Sequence, residues 1–103
     1  MSDLEKKDFS SFGVAFQEKL ANVMLVDRKF SDQIGEVLEP DLFEPPHLQE
    51  CIQFLYSFKE KYKGKQPTLH ALMTHVRTSE KIPASVAKRA LFFLEMAQER
   101  RLK

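Results

Sequence analysis

Apolar residues recur every three or four positions along most of this chain and nowhere alternate over the length of a strand, which predicts an all-α fold, a compact bundle of about five helices. Residues 1–9 lack sustained periodicity and read as a flexible N-terminal tail ahead of a single helical domain over 10–103. Ser10 or Ser11 can cap the first helix, in which Phe12, Phe16, Leu20 and Val23, with Met24 at the edge, form one stripe ending near Val26. Asp27 is the N-cap expected for a short second helix carrying Phe30, Ile34, Val37 and Leu38, and Glu39-Pro40 stops it. Pro46 suits a first helical turn, and the stripe behind it is the clearest in the chain: Leu48, Cys51, Ile52, Leu55, Phe58 and Tyr62. In KYKGKQPT, Gly64 takes the C-terminal cap position, lysines sit near the negative helix end, and Pro67 forbids continuation. Thr68 caps a fourth helix with Leu69, Leu72, Met73 and Val76 on its inner face, and Pro83 opens a fifth over about Ala84 to Leu102.

Two places carry more apolar surface than a single core demands. On the last helix Phe92, Met96, Phe93, Val86, Ala97, Ala90 and Leu94 cover more than half the circumference. Phe93, Val86, Ala90 and Ala97 suffice to face the bundle. That leaves Phe92 and Met96, adjoined by Arg89, as an edge offset by about a quarter turn or more. Aromatic, Met and Arg side chains are enriched where protein surfaces meet, so this edge is a candidate interface; the alternative is that the first helix covers Phe92. The second place is Leu42-Phe43, inside the acidic, proline-punctuated connector Glu39 to Pro46. Such a pair is either packed under the domain or offered to a partner.

Charge and composition then remove several classes of function. Forty-three per cent apolar and thirty per cent charged residues with only three glycines describe a globular chain, not a disordered one. Sixteen basic residues against fifteen acidic give no electrostatic footprint for nucleic acid or an anionic membrane. A single cysteine, no apolar run of membrane-spanning length and no signal-peptide pattern predict a cytoplasmic setting. Gly64-Lys65 fails the phosphate-loop pattern, because Lys59 stands where the leading glycine belongs and Gln66 where Ser or Thr belongs. His47 and Cys51 share a helix face but are only two ligands, and His70 and His75 point about 140° apart, so no metal is expected. Cys51 lies in an apolar stripe, where a thiol behaves as a small hydrophobe and not as a nucleophile. No catalytic residue, cofactor or small-molecule ligand is indicated. One DNA-reading alternative stays open: Lys65-Gln66-Pro67-Thr68 opens a short helix with His70, Thr74, His75 and Arg77 on its outer face, as in a helix-turn-helix.

The segment from Phe16 to Val76 resembles the N-terminal collar domain of DnaB-type replicative DNA helicases, in the form carried by bacteriophages. The residues that carry the likeness are Met24-Leu25-Val26-Asp27 closing the first helix and Phe30 starting a short one. Leu38, Pro40, Asp41 and Phe43 follow, then Pro46-His47 opening a long helix, Tyr62 and Gly64, Pro67-Thr68, and Leu72. In that pattern the aromatic at Phe43 recurs in the loop, which implies that Phe43 packs inward and that Leu42 is the more exposed neighbour.

The resemblance implies a non-catalytic module of DNA replication that assembles helicase subunits and receives primase or a helicase loader, with nucleic acid engaged only indirectly. Leu42, Arg89, Phe92 and Met96 are the interface candidates. The motor and its phosphate loop are not among these 103 residues, so an excised domain or a stand-alone regulator that binds the helicase is implied, unable to hydrolyse ATP by itself. The dimerising hairpin of the family also falls outside them, so the isolated chain is expected to be a monomer or a weak dimer.

Overall fold

A computed structural model describes residues 12–101. Within them lie five α-helices and no strand: α1 (Gly13–Val26), α2 (Arg28–Ile34), α3 (Pro46–Lys61), α4 (Leu69–Thr78) and α5 (Ala84–Arg101), with one 3-10 turn at Pro40–Leu42. The expected tail over residues 1–9 and the end of the last helix at Leu102 lie outside the described residues. The expected serine cap needs correction: α1 begins at Gly13 with Phe12 at its N-cap and no side-chain cap bond, so neither Ser10 nor Ser11 starts it.

The boundaries follow local chemistry. Asp27 Oδ1 accepts the Phe30 amide at 3.0 Å and starts α2, and Thr68 Oγ1 accepts the Ala71 amide at 3.0 Å and starts α4. Each satisfies one of the amides that a helix start leaves without an internal partner. Pro46 occupies the first turn of α3, where its missing N–H costs nothing. At the far end of α3 the Gly64 amide donates to the Lys59 carbonyl at 2.6 Å, the six-to-one bond of a Schellman cap. The cap is displaced by one residue from the expected one. Lys63, at φ 54°, takes the first left-handed position, and Gly64, at φ 85°, takes the next. A glycine placed second relieves only half of the strain that two successive left-handed residues create.

α3 is the centre. Its Leu48, Cys51, Ile52 and Leu55 are buried, α1 and α4 pack on it, and α5 lies across α3 and α4 together. α4 buries Leu69, Leu72, Met73 and Val76, as the periodicity predicts. Phe58 is half-buried and Tyr62 exposed, because the stripe runs past the end of the elements that cover it.

Two stripes need correction. In α1 the buried residues are Gln17, Ala21, Met24 and Leu25, while Phe12 and Phe16 are exposed, their rings tilted against each other with centroids 5.1 Å apart. The inner face is therefore rotated by roughly a third of a turn from the Phe12-Phe16-Leu20-Val23 stripe. The reason is a buried polar residue: Gln17 Oε1 accepts the Glu44 amide at 2.7 Å and its Nε2 donates to the Gly13 carbonyl at 3.2 Å. A buried glutamine whose oxygen and nitrogen each have a partner is tolerated at no large cost. α2 ends at Ile34, so Val37 lies in the turn after it and is exposed, while Leu38 is buried.

The connector between α2 and α3 is held at three points. Tyr56 donates its hydroxyl to the Leu38 carbonyl at 2.5 Å, Gln49 Nε2 donates to the Phe43 carbonyl at 2.6 Å, and the Glu44 amide is taken by Gln17. Phe43 is fully buried in the core and Leu42, half-buried, packs against it. The apolar pair in the acidic loop is thus an anchor that holds the connector down.

Candidate functional site

α1 and α5 both reach the head of α3, where His47 touches Glu18 of one and Phe93 of the other, and the space between them is a groove. Two adjoining cavities of about 680 Å³ and 470 Å³ make it up, with Glu18 and Phe92 lining both. Each falls in the size range of clefts that accept ligands or partner side chains.

The floor is set by α3. His47 stands in its first turn and is 2% exposed; its Nε2 donates to Glu18 Oε2 at 3.0 Å, and its ring meets Phe93 edge-on at 6.0 Å between centroids. One side chain thereby ties α3 to α1 and α5. Glu18 and His47 are 29 residues apart, so nothing local in the sequence signals the pair. No group of three His, Cys, Asp or Glu side chains suited to a metal exists among the described residues. Burial pushes the Cys51 thiol up to about 12, which keeps it neutral as a core hydrophobe.

The α5 wall carries three of the four interface candidates. Phe92 is 67% exposed and Met96 39% exposed, with Arg89 exposed about one turn before Phe92. α1 does not cover Phe92. Leaving this ring mostly in water forgoes most of the roughly 1.5–3 kcal/mol that its burial would yield. Leu94, fully buried, turns the inner face of α5 away from Phe92, and Val86 is only half-buried. Both shifts follow from α5 resting on α3 and α4 together. Leu42, the fourth candidate, does not line the groove.

α1 supplies the opposite wall with Val14, exposed and outside the expected stripe, and with Lys19 and Asn22. Asn22 Oδ1 is buried and has no hydrogen-bond partner among the described residues. An acceptor left so costs about 1–3 kcal/mol.

The residues of the helix-turn-helix alternative are occupied in part. Gln66 Nε2 donates to the Met24 and Leu25 carbonyls at 2.8 and 3.0 Å, and its Oε1 accepts from Ser31 Oγ at 3.0 Å. Ser31 Oγ also accepts from Lys59 Nζ at 2.7 Å, and Lys59 pairs with Asp32, whose carboxyl this hydrogen bond holds below the usual range. His75 stacks on Phe54 at 4.3 Å. Gln66 and His75 are therefore engaged within the fold, which leaves His70, Thr74 and Arg77 exposed on that face.

No helix among the described residues is long and apolar enough to cross a membrane. No family model, no curated protein and no solved structure matches the chain.

Proposed function

We propose that this chain is a non-catalytic docking module, and that the assembly it serves is a replicative DNA helicase, as a collar domain that organises subunits and engages primase or a loader. The observation that carries the docking reading is the open groove between α1 and α5, edged by Phe92 and Met96. An apolar edge left in water beside a preformed cleft is what a partner surface requires. The helicase assignment draws on the quoted resemblance. Its support is that the residues carrying the likeness hold the parts of the structure that the pattern gives them: Phe43 in the core, Pro46-His47 at the head of α3, Pro67-Thr68 ahead of α4.

The test is direct binding. The folded chain is titrated with the replicative primase, the helicase loader and the helicase motor of its source, beside a Phe92→Ser, Met96→Ser variant. Saturable binding to one of them that the variant loses is the expected result. A folded chain that binds none of the three overturns the helicase assignment. Tight binding to duplex DNA that falls steeply with salt would replace it with DNA reading.

A further inference from the structure

The chemistry of the groove limits what can lie in it. Both walls are helix surfaces whose backbone groups are spent within the helices, so neither offers an edge to which an extended peptide could add as a strand. An occupant must satisfy its own backbone, which selects a helix. From Val14 to Val23 the α1 wall runs about 14 Å, and from Lys88 to Arg100 the α5 wall runs about 18 Å, at 1.5 Å per residue. That is about three helical turns, room for apolar anchors at i, i+3 or i+4, and i+7.

The rim sets the charge. Lys19, Lys88, Arg89 and Arg100 line the groove, and none belongs to an ion pair among the described residues. Against them stand Glu95 and Glu18, and Glu18 already accepts from His47. The rim is therefore basic although the chain as a whole carries a formal charge of only +1. A second copy laid α5 against α5 would bring Lys88, Arg89 and Arg100 of both molecules together, an arrangement that like charge opposes.

We infer that the groove between α1 and α5 takes an acidic amphipathic helix of about three turns from a different protein, its apolar face over Phe92, Met96 and Val14 and its carboxylates toward Lys19, Lys88, Arg89 and Arg100. This deepens the docking reading above and rests on it, but does not depend on the partner being a replication protein.

The probes are 12-residue helix-forming peptides with leucine, phenylalanine or methionine at the three anchor positions, each made with glutamates on its flanks and again with lysines in their place. Binding to the chain is followed by fluorescence anisotropy at low and high salt. Acidic members should bind and their lysine counterparts should not, with affinity falling as salt rises. Arg89→Glu should weaken binding about five- to tenfold, as expected for reversing one exposed partner, and Phe92→Ser should weaken it further. Arg89→Gln, which keeps the stem and drops the charge, should give a smaller loss and covers the case in which the reversal disturbs folding. Equal binding of acidic and lysine peptides, no binding of either, or binding indifferent to Arg89 and Phe92 overturns the inference. So does concentration-dependent dimerisation in sedimentation that Phe92→Ser abolishes, which would give the groove to a second copy. Replication proteins that bind while no peptide does would defeat this inference alone; peptides that bind while no replication protein does would defeat the helicase assignment alone.

Discussion

Replacing Gln66 with methionine keeps the length and most of the volume of the side chain while removing every hydrogen bond it makes. The two carbonyls it serves, Met24 and Leu25, belong to the last turn of α1, where no intrahelical amide reaches them. Val23, one residue earlier, is satisfied by the Asp27 amide at 2.8 Å. Each lost bond costs about 1 kcal/mol where water can replace it, and about 1–3 kcal/mol where the acceptor stays buried and unpaired. With Ser31 losing one of its partners as well, the expected destabilisation of Gln66→Met is about 2–4 kcal/mol. Gln66→Glu should cost at least as much at neutral pH, because it keeps the acceptor for Ser31 but turns an oxygen on the two carbonyls. Urea unfolding followed by far-ultraviolet circular dichroism gives the values from the midpoints, provided the slope is unchanged. A cycle with Ser31→Ala should show a coupling of about 0.5–1.5 kcal/mol. A cost of Gln66→Met below about 0.5 kcal/mol would refute the reasoning and release Gln66 for an external role. Loss of DNA affinity at unchanged stability would identify that role as base reading.

Phe43→Ala should cost about 3–5 kcal/mol, since the ring is fully buried; a loss below about 1 kcal/mol in the same unfolding assay would return the loop to the role of a docking knob. Phe92→Ser, Met96→Ser should change stability by about 1 kcal/mol, because Phe92 is mostly solvated and Met96 lies outside the buried core; a loss beyond about 2 kcal/mol in thermal and urea melts would make them core. Asn22→Leu should raise stability by about 1 kcal/mol by removing a buried acceptor without a partner, and an unfolding midpoint that falls would show that the acceptor is satisfied in solution. Stability should also fall with alkali. The Cys51 thiol is raised from 9.0 to about 12 in the fold, so above pH 9 the unfolded chain ionises first and its contribution is lost as pH rises toward 12. From pH 8 to 10.5 that amounts to about 2 kcal/mol. Tyr56, raised to about 12 from 10.0 by burial, adds a loss of the same sign above pH 10. Urea midpoints for wild type and Cys51→Ala across this range check the slope, which the variant should flatten.

Helix number, the starts of α2, α3 and α4, and the inner faces of α3 and α4 were legible in the sequence because each is dictated over a few residues. Asp27 and Thr68 bond amides three positions on, Pro46 fixes its own backbone angle, and Leu69, Leu72, Met73 and Val76 recur at the helical period. The surplus width of α5 was legible in the same way, and Phe92, Met96 and Arg89 were singled out from it. What a linear pattern could not supply was the identity of the surface each helix would meet. α1 shows this most clearly: its phenylalanines mark a stripe, yet the face that turned inward is built around Gln17, whose partner amide at Glu44 is 27 residues away. Periodicity scores a glutamine as polar wherever it stands, whereas its burial depends on a hydrogen bond that only the folded chain brings within reach. The groove has the same origin. Its floor at His47 requires Glu18 and Phe93 from two other helices, and its basic rim gathers Lys19 with Lys88, Arg89 and Arg100 from opposite walls. Local chemistry determined which segments are helices and where they stop; the packing of α1 and α5 around the head of α3 decided which residues became a surface, because long-range contacts, unlike caps and stripes, have no fixed spacing in the chain.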